Sequence, residues 1–207
     1  MSRGAARLSW IVIVAIAASL PLRAAGQRPP VAAPQLSLSA LWEEPQDLED
    51  RDLYYGPWGR EHAPDPADVY AFVRPKAHGV NPGVVVSDRA GRVWHVKQSA
   101  PDNTHGAEGP VEVVLSRVLS AIGYHQPPVY FLPSFAMKQR GAVTRQGGGR
   151  FRLALKGLKD RGQWSWQQNP FVGTKPLEGL LAILLVFNSS DMKNANNVLY
   201  DVTDGVT

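Results

Sequence analysis

No cysteine occurs anywhere in the 207 residues, and that absence narrows what the chain can fold into. Disulfide-stapled scaffolds, thiol nucleophiles and thiolate zinc sites are removed together. Any fold must therefore be held by its own apolar core. The hydrophobic fraction of 44% is enough for such a core and rules out wholesale disorder. The length suits one domain of ordinary size, or one domain and a fragment.

The chain begins with the three-part pattern of an export signal. Arg3 and Arg7 precede an apolar run from Leu8 to Leu22, and the small residues Ala24, Ala25 and Gly26 follow. The run is about 15 residues, short of the roughly 20 that span a bilayer as a helix, and Pro21 interrupts it. Residues 1–26 are thus expected to be a signal peptide cut near Gly26. The protein is expected to be exported, periplasmic or extracellular, the alternative being an uncleaved leader that anchors it to the membrane. The leader also explains most of the net charge of +4, because it carries Arg3, Arg7 and Arg23 and no acid. Outside it, 19 basic residues face 18 acidic ones, so overall charge does not favour a nucleic-acid partner.

Residues 27–66 read as a linker followed by an acidic, aromatic-rich segment that wraps onto a surface, with Trp42 and Trp58 as its packing residues. Val84–Ser87 and Val93–Lys97 around the turn Asp88–Gly91 predict a β-hairpin. Trp94 and Val96 then share one face, and Val93, His95 and Lys97 the other. Apolar residues at 111, 114, 115, 118, 119 and 122 predict a helix ended by Gly123. Strands are expected at Val129–Leu132 and Phe151–Leu155. Between 138 and 161, eight basic residues surround a flexible Gly147-Gly148-Gly149 tip and read as a solvated hairpin, with phosphate or membrane-surface binding as the competing use. Pro176–Phe187 is apolar on nearly all sides and predicts a buried helix opened by Pro176. A polar loop, Asp191–Asn197, and a short strand, Val198–Tyr200, follow. The five histidines show no metal-ligand spacing.

Three features bear chemistry. Lys97 ends an apolar strand, where it is either a snorkelling surface residue or a cation held rigidly against a phosphate. Glu112 lies early in the next helix, as a helix-dipole partner or as the carboxylate orienting Lys97, with Glu108 as its competitor. Asp191, Lys193 and Asn196 share one short loop after a buried helix.

The spacing Asp191-x-Lys193-x-x-Asn196 between a helix and a strand resembles the catalytic loop of the protein-kinase-like superfamily. The order of strand lysine, helix glutamate, buried helix and polar loop is similar too, and the missing His-Arg pair and glycine-rich motif resemble the toxin-type, secretory-pathway and lipid-kinase-like branches. The resemblance implies an α+β fold: an antiparallel sheet with one helix as N-terminal lobe (67–175), and the incomplete beginning of a helical C-terminal lobe (176–207). It implies ATP and Mg²⁺, with Lys97 and Glu112 on the nucleotide, Asp191 and Lys193 catalytic, and Asn196 on the metal. Asp204-Gly205 is expected to be a turn, with the second metal-binding Asp missing, so the chain is expected to be a fragment of doubtful activity. The resemblance leaves the phosphate acceptor open. The alternative is a non-catalytic, pseudokinase-like interaction module.

Overall fold

A computed structural model of the protein describes residues 9–14, 36–77, 82–98, 108–189 and 192–202. Among these the chain is mixed α+β, with two α-helices and a large, mostly antiparallel sheet. The strands are β1 (Ser9–Val14), β2 (Val69–Pro75), β3 (Gly83–Ser87), β4 (Val93–Gln98), β5 (Val129–Leu132), β6 (Phe135–Gln139), β7 (Ala142–Gln146), β8 (Gly149–Leu153), β9 (Leu158–Gln163) and β10 (Asn197–Val202). The helices are α1 (Glu108–Ala121) and α2 (Lys175–Val186).

Seven strands form one sheet in the order β5-β8-β4-β3-β2-β6-β7, antiparallel throughout except where β2 meets β6. The expected hairpin is β3–β4, its turn closed by Gly91 at φ +78°. Asp88 anchors that turn. Burial alone would raise its carboxyl, but hydrogen bonds from Trp94 Nε1 and from Arg92 outweigh burial and hold it below the usual carboxylate range. One face of the sheet is a core of large side chains: Tyr70, Trp94, Phe135 and Phe151 are fully buried and meet edge-on or tilted.

A second core joins α1, α2, β10 and the segments around Leu41 and Trp164. Thr174 caps α2 through Leu177 N, and Pro176 occupies its first turn. The helix is less enclosed than its composition predicts. Leu177, Leu180 and Leu184 point into the core, whereas Leu181, Leu185 and Val186 are exposed. Apolar residues run nearly all the way round it in sequence, but the stripe packed into the core is Leu177, Leu180 and Leu184, with Ile183 and Phe187 partly buried against it.

The basic stretch also differs from expectation. Lys138, Arg140 and Arg145 are exposed on the β6–β7 hairpin, and of the glycines beyond it Gly147 is open to solvent whereas Gly148 and Gly149 are enclosed. A Cβ on Gly148 would come within 2.9 Å of the Phe131 ring, and one on Gly149 within 2.7 Å of Val96 Cγ1. The strand there begins at Gly149, two residues before the expected start.

A smaller sheet runs β1-β10-β9. Ser9–Val14, inside the expected leader, pairs along its backbone with β10 from Ser9–Val202 to Val14–Asn197. Arg161 and Asp201 form an ion pair across β9 and β10. No helix among the described residues is long and apolar enough to cross a membrane. Asp191 and the Asp204-Gly205 turn lie outside the described residues.

Segment 36–66 reaches the rest of the protein through Ala40 and Leu41 in the second core and through hydrogen bonds to its backbone. Trp42 Nε1 donates to Ile122 O at 2.6 Å and Trp58 Nε1 to Gln126 O at 3.0 Å. Glu43 N donates to Gly123 O, where Gly123 has φ +99° and a Cβ would sit 2.0 Å from Glu43 O. Both conformation and space require glycine there. Gly123→Ala is expected to cost about 1–3 kcal/mol from backbone strain, more if the segment is displaced. A urea transition moved to lower denaturant checks this, and an unchanged midpoint would contradict the docking of residues 42–43.

Candidate functional site: a cation-lined cavity

Side chains alternate along a strand, so the residues that put Trp94 and Val96 into the core put His95 and Lys97 on the opposite face. The same holds on β8, where Phe151 is buried and Arg150 and Arg152 face the other way. Antiparallel pairing sets Lys97 opposite Arg150 and His95 opposite Arg152. The result is a compact block of four basic side chains on one sheet face.

Helix α1 covers part of this face. Glu108, Glu112 and Ser116 are spaced by four residues and so share one helix face. Lys97 Nζ lies 2.5 Å from Glu112 Oε1 and 3.2 Å from Glu108 Oε2. The second Glu112 oxygen is 2.9 Å from Arg150 Nε, an ion pair without hydrogen-bond alignment. Lys97 and Glu112 are both buried, at 6% and 9% side-chain exposure. Glu112 and Glu108 thus do not compete for Lys97 but share it.

A cavity of about 290 Å³ opens beside this network. Its walls come from the sheet face, from α1 and from the chain entering β10. Lys76, Lys97, Arg150 and Arg152 contribute cationic groups, Glu112 the carboxylate, and Ser116 a buried hydroxyl with no partner among the described residues. Asn196 and Tyr200 line the opposite side. Burial, then the proximity of Lys97 and Arg150, holds the Lys76 ammonium below its ordinary value. Burial and the arginines at 152, 74 and 150 push the His95 imidazole below 6.5. Burial, then Arg150, lowers Arg152, although so basic a group stays charged. Burial leads each of these shifts and neighbouring positive charge adds to it, and a cavity lined by several cationic side chains suits an anion.

The polar loop divides its work. Asn194 Oδ1 accepts from Trp166 N at 3.1 Å, and Asn197 Nδ2 donates to Trp164 O at 3.4 Å. These two asparagines fasten the loop, leaving Asn196 at the cavity. Lys193 is exposed at the start of the short 3₁₀ turn Asn194–Asn196, and it does not line the cavity. The structure therefore brings together Lys97, Glu112 and Asn196, and Asp191 lies outside the described residues. The turn Asp88–Gly91 does not cover the cavity; Lys76 and Val84, at either end of the β2–β3 connection, flank it instead.

Sequence reasoning missed Arg150, Arg152 and Ser116. The alternation Gly149-Arg150-Phe151-Arg152-Leu153 carried the signal for the arginines, since the apolar partners could only face the core. Among the described residues, no three His, Cys, Asp or Glu side chains converge as a metal-binding group. His62 and His125 instead meet the backbone carbonyls of Trp58 and Ser39.

Two outcomes are expected. Glu112→Gln leaves Arg150 against a neutral amide and Lys97 with only its 3.2 Å contact to Glu108, and should lower stability by about 3 kcal/mol or more. Glu108→Gln should cost less, because Lys97 keeps its 2.5 Å partner; equal losses in chemical denaturation would contradict the geometry. The second concerns pH. The unfolded chain takes up the His95 proton near pH 6.5 whereas the folded chain resists it, so this residue lowers stability as pH falls below about 6.5. A His95→Gln variant should show a flatter melting-temperature profile across that range. No family model, curated protein or solved structure matches the chain.

Proposed function

We propose that the cavity is the phosphate-binding part of a nucleotide site, in an exported phosphotransferase-type fold of the protein-kinase-like superfamily. The observation that carries this reading is the buried Lys97–Glu112 contact at 2.5 Å. It joins the third strand of an antiparallel run to the following helix, beside a cavity that Asn196 also lines. Kinase-like sites use such a strand lysine and helix glutamate on the nucleotide phosphates.

In this reading Lys97 contacts phosphate oxygens and Glu112 fixes the ammonium in one place. Asp191 is assigned as the base and Lys193 as the cation steadying the transferred group. The acceptor hydroxyl oxygen forms a bond to the terminal phosphorus as the anhydride bond to the leaving diphosphate breaks, and the hydroxyl proton passes to the Asp191 carboxylate. The acceptor's class stays open.

Magnesium fits the described residues poorly. Hard cations of this kind require oxygen ligands, usually carboxylates. Both Glu112 oxygens already face cations, and the other side-chain oxygens lining the cavity, on Ser116, Gln126, Asn196 and Tyr200, are neutral hydroxyl or amide groups. The chemistry assigned to Lys97, Glu112 and Asp191 is binding, orientation and proton acceptance.

The exposed Leu181, Leu185 and Val186 of α2 favour a second reading, an interaction module without catalysis. Thermal melts with Mg²⁺-ATP test nucleotide binding in either reading. A rise in melting temperature is expected, and Lys97→Ala should abolish it. A melt insensitive to ATP in both proteins would remove the nucleotide reading. Phosphate transfer from ATP to any acceptor, lost in Asp191→Asn, would select the catalytic one.

A further inference from the structure

Like charges placed directly opposite in an antiparallel pair are destabilising. Lys97 and Arg150 escape that cost through Glu112, which faces both. His95 and Arg152 form the neighbouring cross-strand pair, and neither is in an ion pair with Glu112. Among the described residues, no carboxylate lies within ion-pair distance of Arg152, and His95 is driven toward its neutral form by burial and by the arginines around it. The unpartnered Ser116 hydroxyl, on a residue 6% exposed, lines the same cavity. The fold thus gathers around one cavity an arginine with no carboxylate at ion-pair distance and a buried hydroxyl without a hydrogen-bond partner among the described residues.

We infer that the cavity binds a polyphosphate by direct contact with Arg152, Arg150 and Lys97, with no divalent cation between the anion and the protein. The inference rests on the phosphate reading of this cavity and deepens it. Guanidinium groups suit this use because their planar donors bond phosphate oxygens in pairs and stay charged when partly buried. A bound divalent cation would neutralise part of the ligand's charge, leaving less for the arginines to meet. Arg152 is the anchor in this arrangement, since its charge is not already spent on a carboxylate.

Calorimetric titration of the full chain with tripolyphosphate and with ATP, each in excess EDTA and in excess Mg²⁺, tests this. Both ligands are expected to bind in EDTA, no more weakly than with Mg²⁺, and to weaken steadily with added salt. Arg152→Gln should reduce affinity about tenfold or more in EDTA. The same variant should raise the melting temperature of the free protein, because it removes crowded positive charge. A purely structural Arg152 would instead lower it. Lys138→Gln, the same charge change on the exposed end of β6, should leave affinity within about twofold. Binding of ATP only with Mg²⁺, indifferent to Arg152→Gln, would overturn the inference and leave the nucleotide reading standing. Binding of tripolyphosphate but not ATP in EDTA would support it and remove the nucleotide reading. No binding of either ligand under any condition would overturn both.

Discussion

Lys97 is buried between two carboxylates one helical turn apart, and one of these is shared with Arg150 on the next strand. Removing such charges from water costs several kcal/mol each, so the network is a poor source of net stability. Its value is positional. Lys97 belongs to β4, Arg150 to β8 and Glu112 to α1, so the charges can neutralise one another only when helix and sheet stand at one distance and one rotation. An apolar contact would tolerate a small slide, whereas a buried charge would not. The cavity's shape therefore depends on this cluster more than on the apolar packing around it.

The wall opposite the sheet is secured differently. It arrives by way of α2, Asn194 and Asn197, and those asparagines bond to the backbone at Trp166 and Trp164. Trp164 itself packs with Trp166 and Phe171 in the second core. Tyr124, at the end of α1, donates to Pro176 O, which brings the start of α2 against the end of α1. Arg117 of α1 donates to Val129 O and lies over the Tyr130 ring, tying the helix to β5. Both walls thus trace back to α1. A disturbance of that helix would reach Glu112 and the loop carrying Asn196 together.

Much of this could be read from the residues, and the reasons for the exceptions are physical. The β3–β4 hairpin and β5 follow from alternation and turn chemistry, and α1 from its apolar spacing and terminal glycine, all local properties. The Lys97–Glu112 partnership was legible only as a choice between Glu112 and Glu108, because spacing places both on one helix face; the structure uses both. Composition misjudged α2, since an apolar sequence states what could be buried and not which sides find partners. The basic stretch was misjudged for a related reason. Counting charge over 138–161 treats it as one unit, whereas pairing separates it into an exposed hairpin, two arginines on β8 opposite Lys97 and His95, and the three basic residues from Lys156 to Arg161. Which strand lies beside β4 is a long-range fact that no local window contains.

That pairing gives register an unusual weight. If β8 slipped by one residue, Arg150 and Arg152 would turn into the aromatic core and Phe151 into the cavity. The first change would strand two charges among Tyr70, Trp94 and Phe135, and together they would replace the cations of the cavity wall with an aromatic ring. Gly149 opposes such a slip. It pairs with Gln98 on one side and Leu132 on the other, and any side chain at that point would run into Val96 Cγ1 at 2.7 Å. Moving Arg150 into its place would require Val96 to leave the core. Gly149, at the end of what looks in sequence like a loose tip, thus opposes the slip that would bring Arg150 into its place, and through that register the core and the cavity wall are specified by the same five residues.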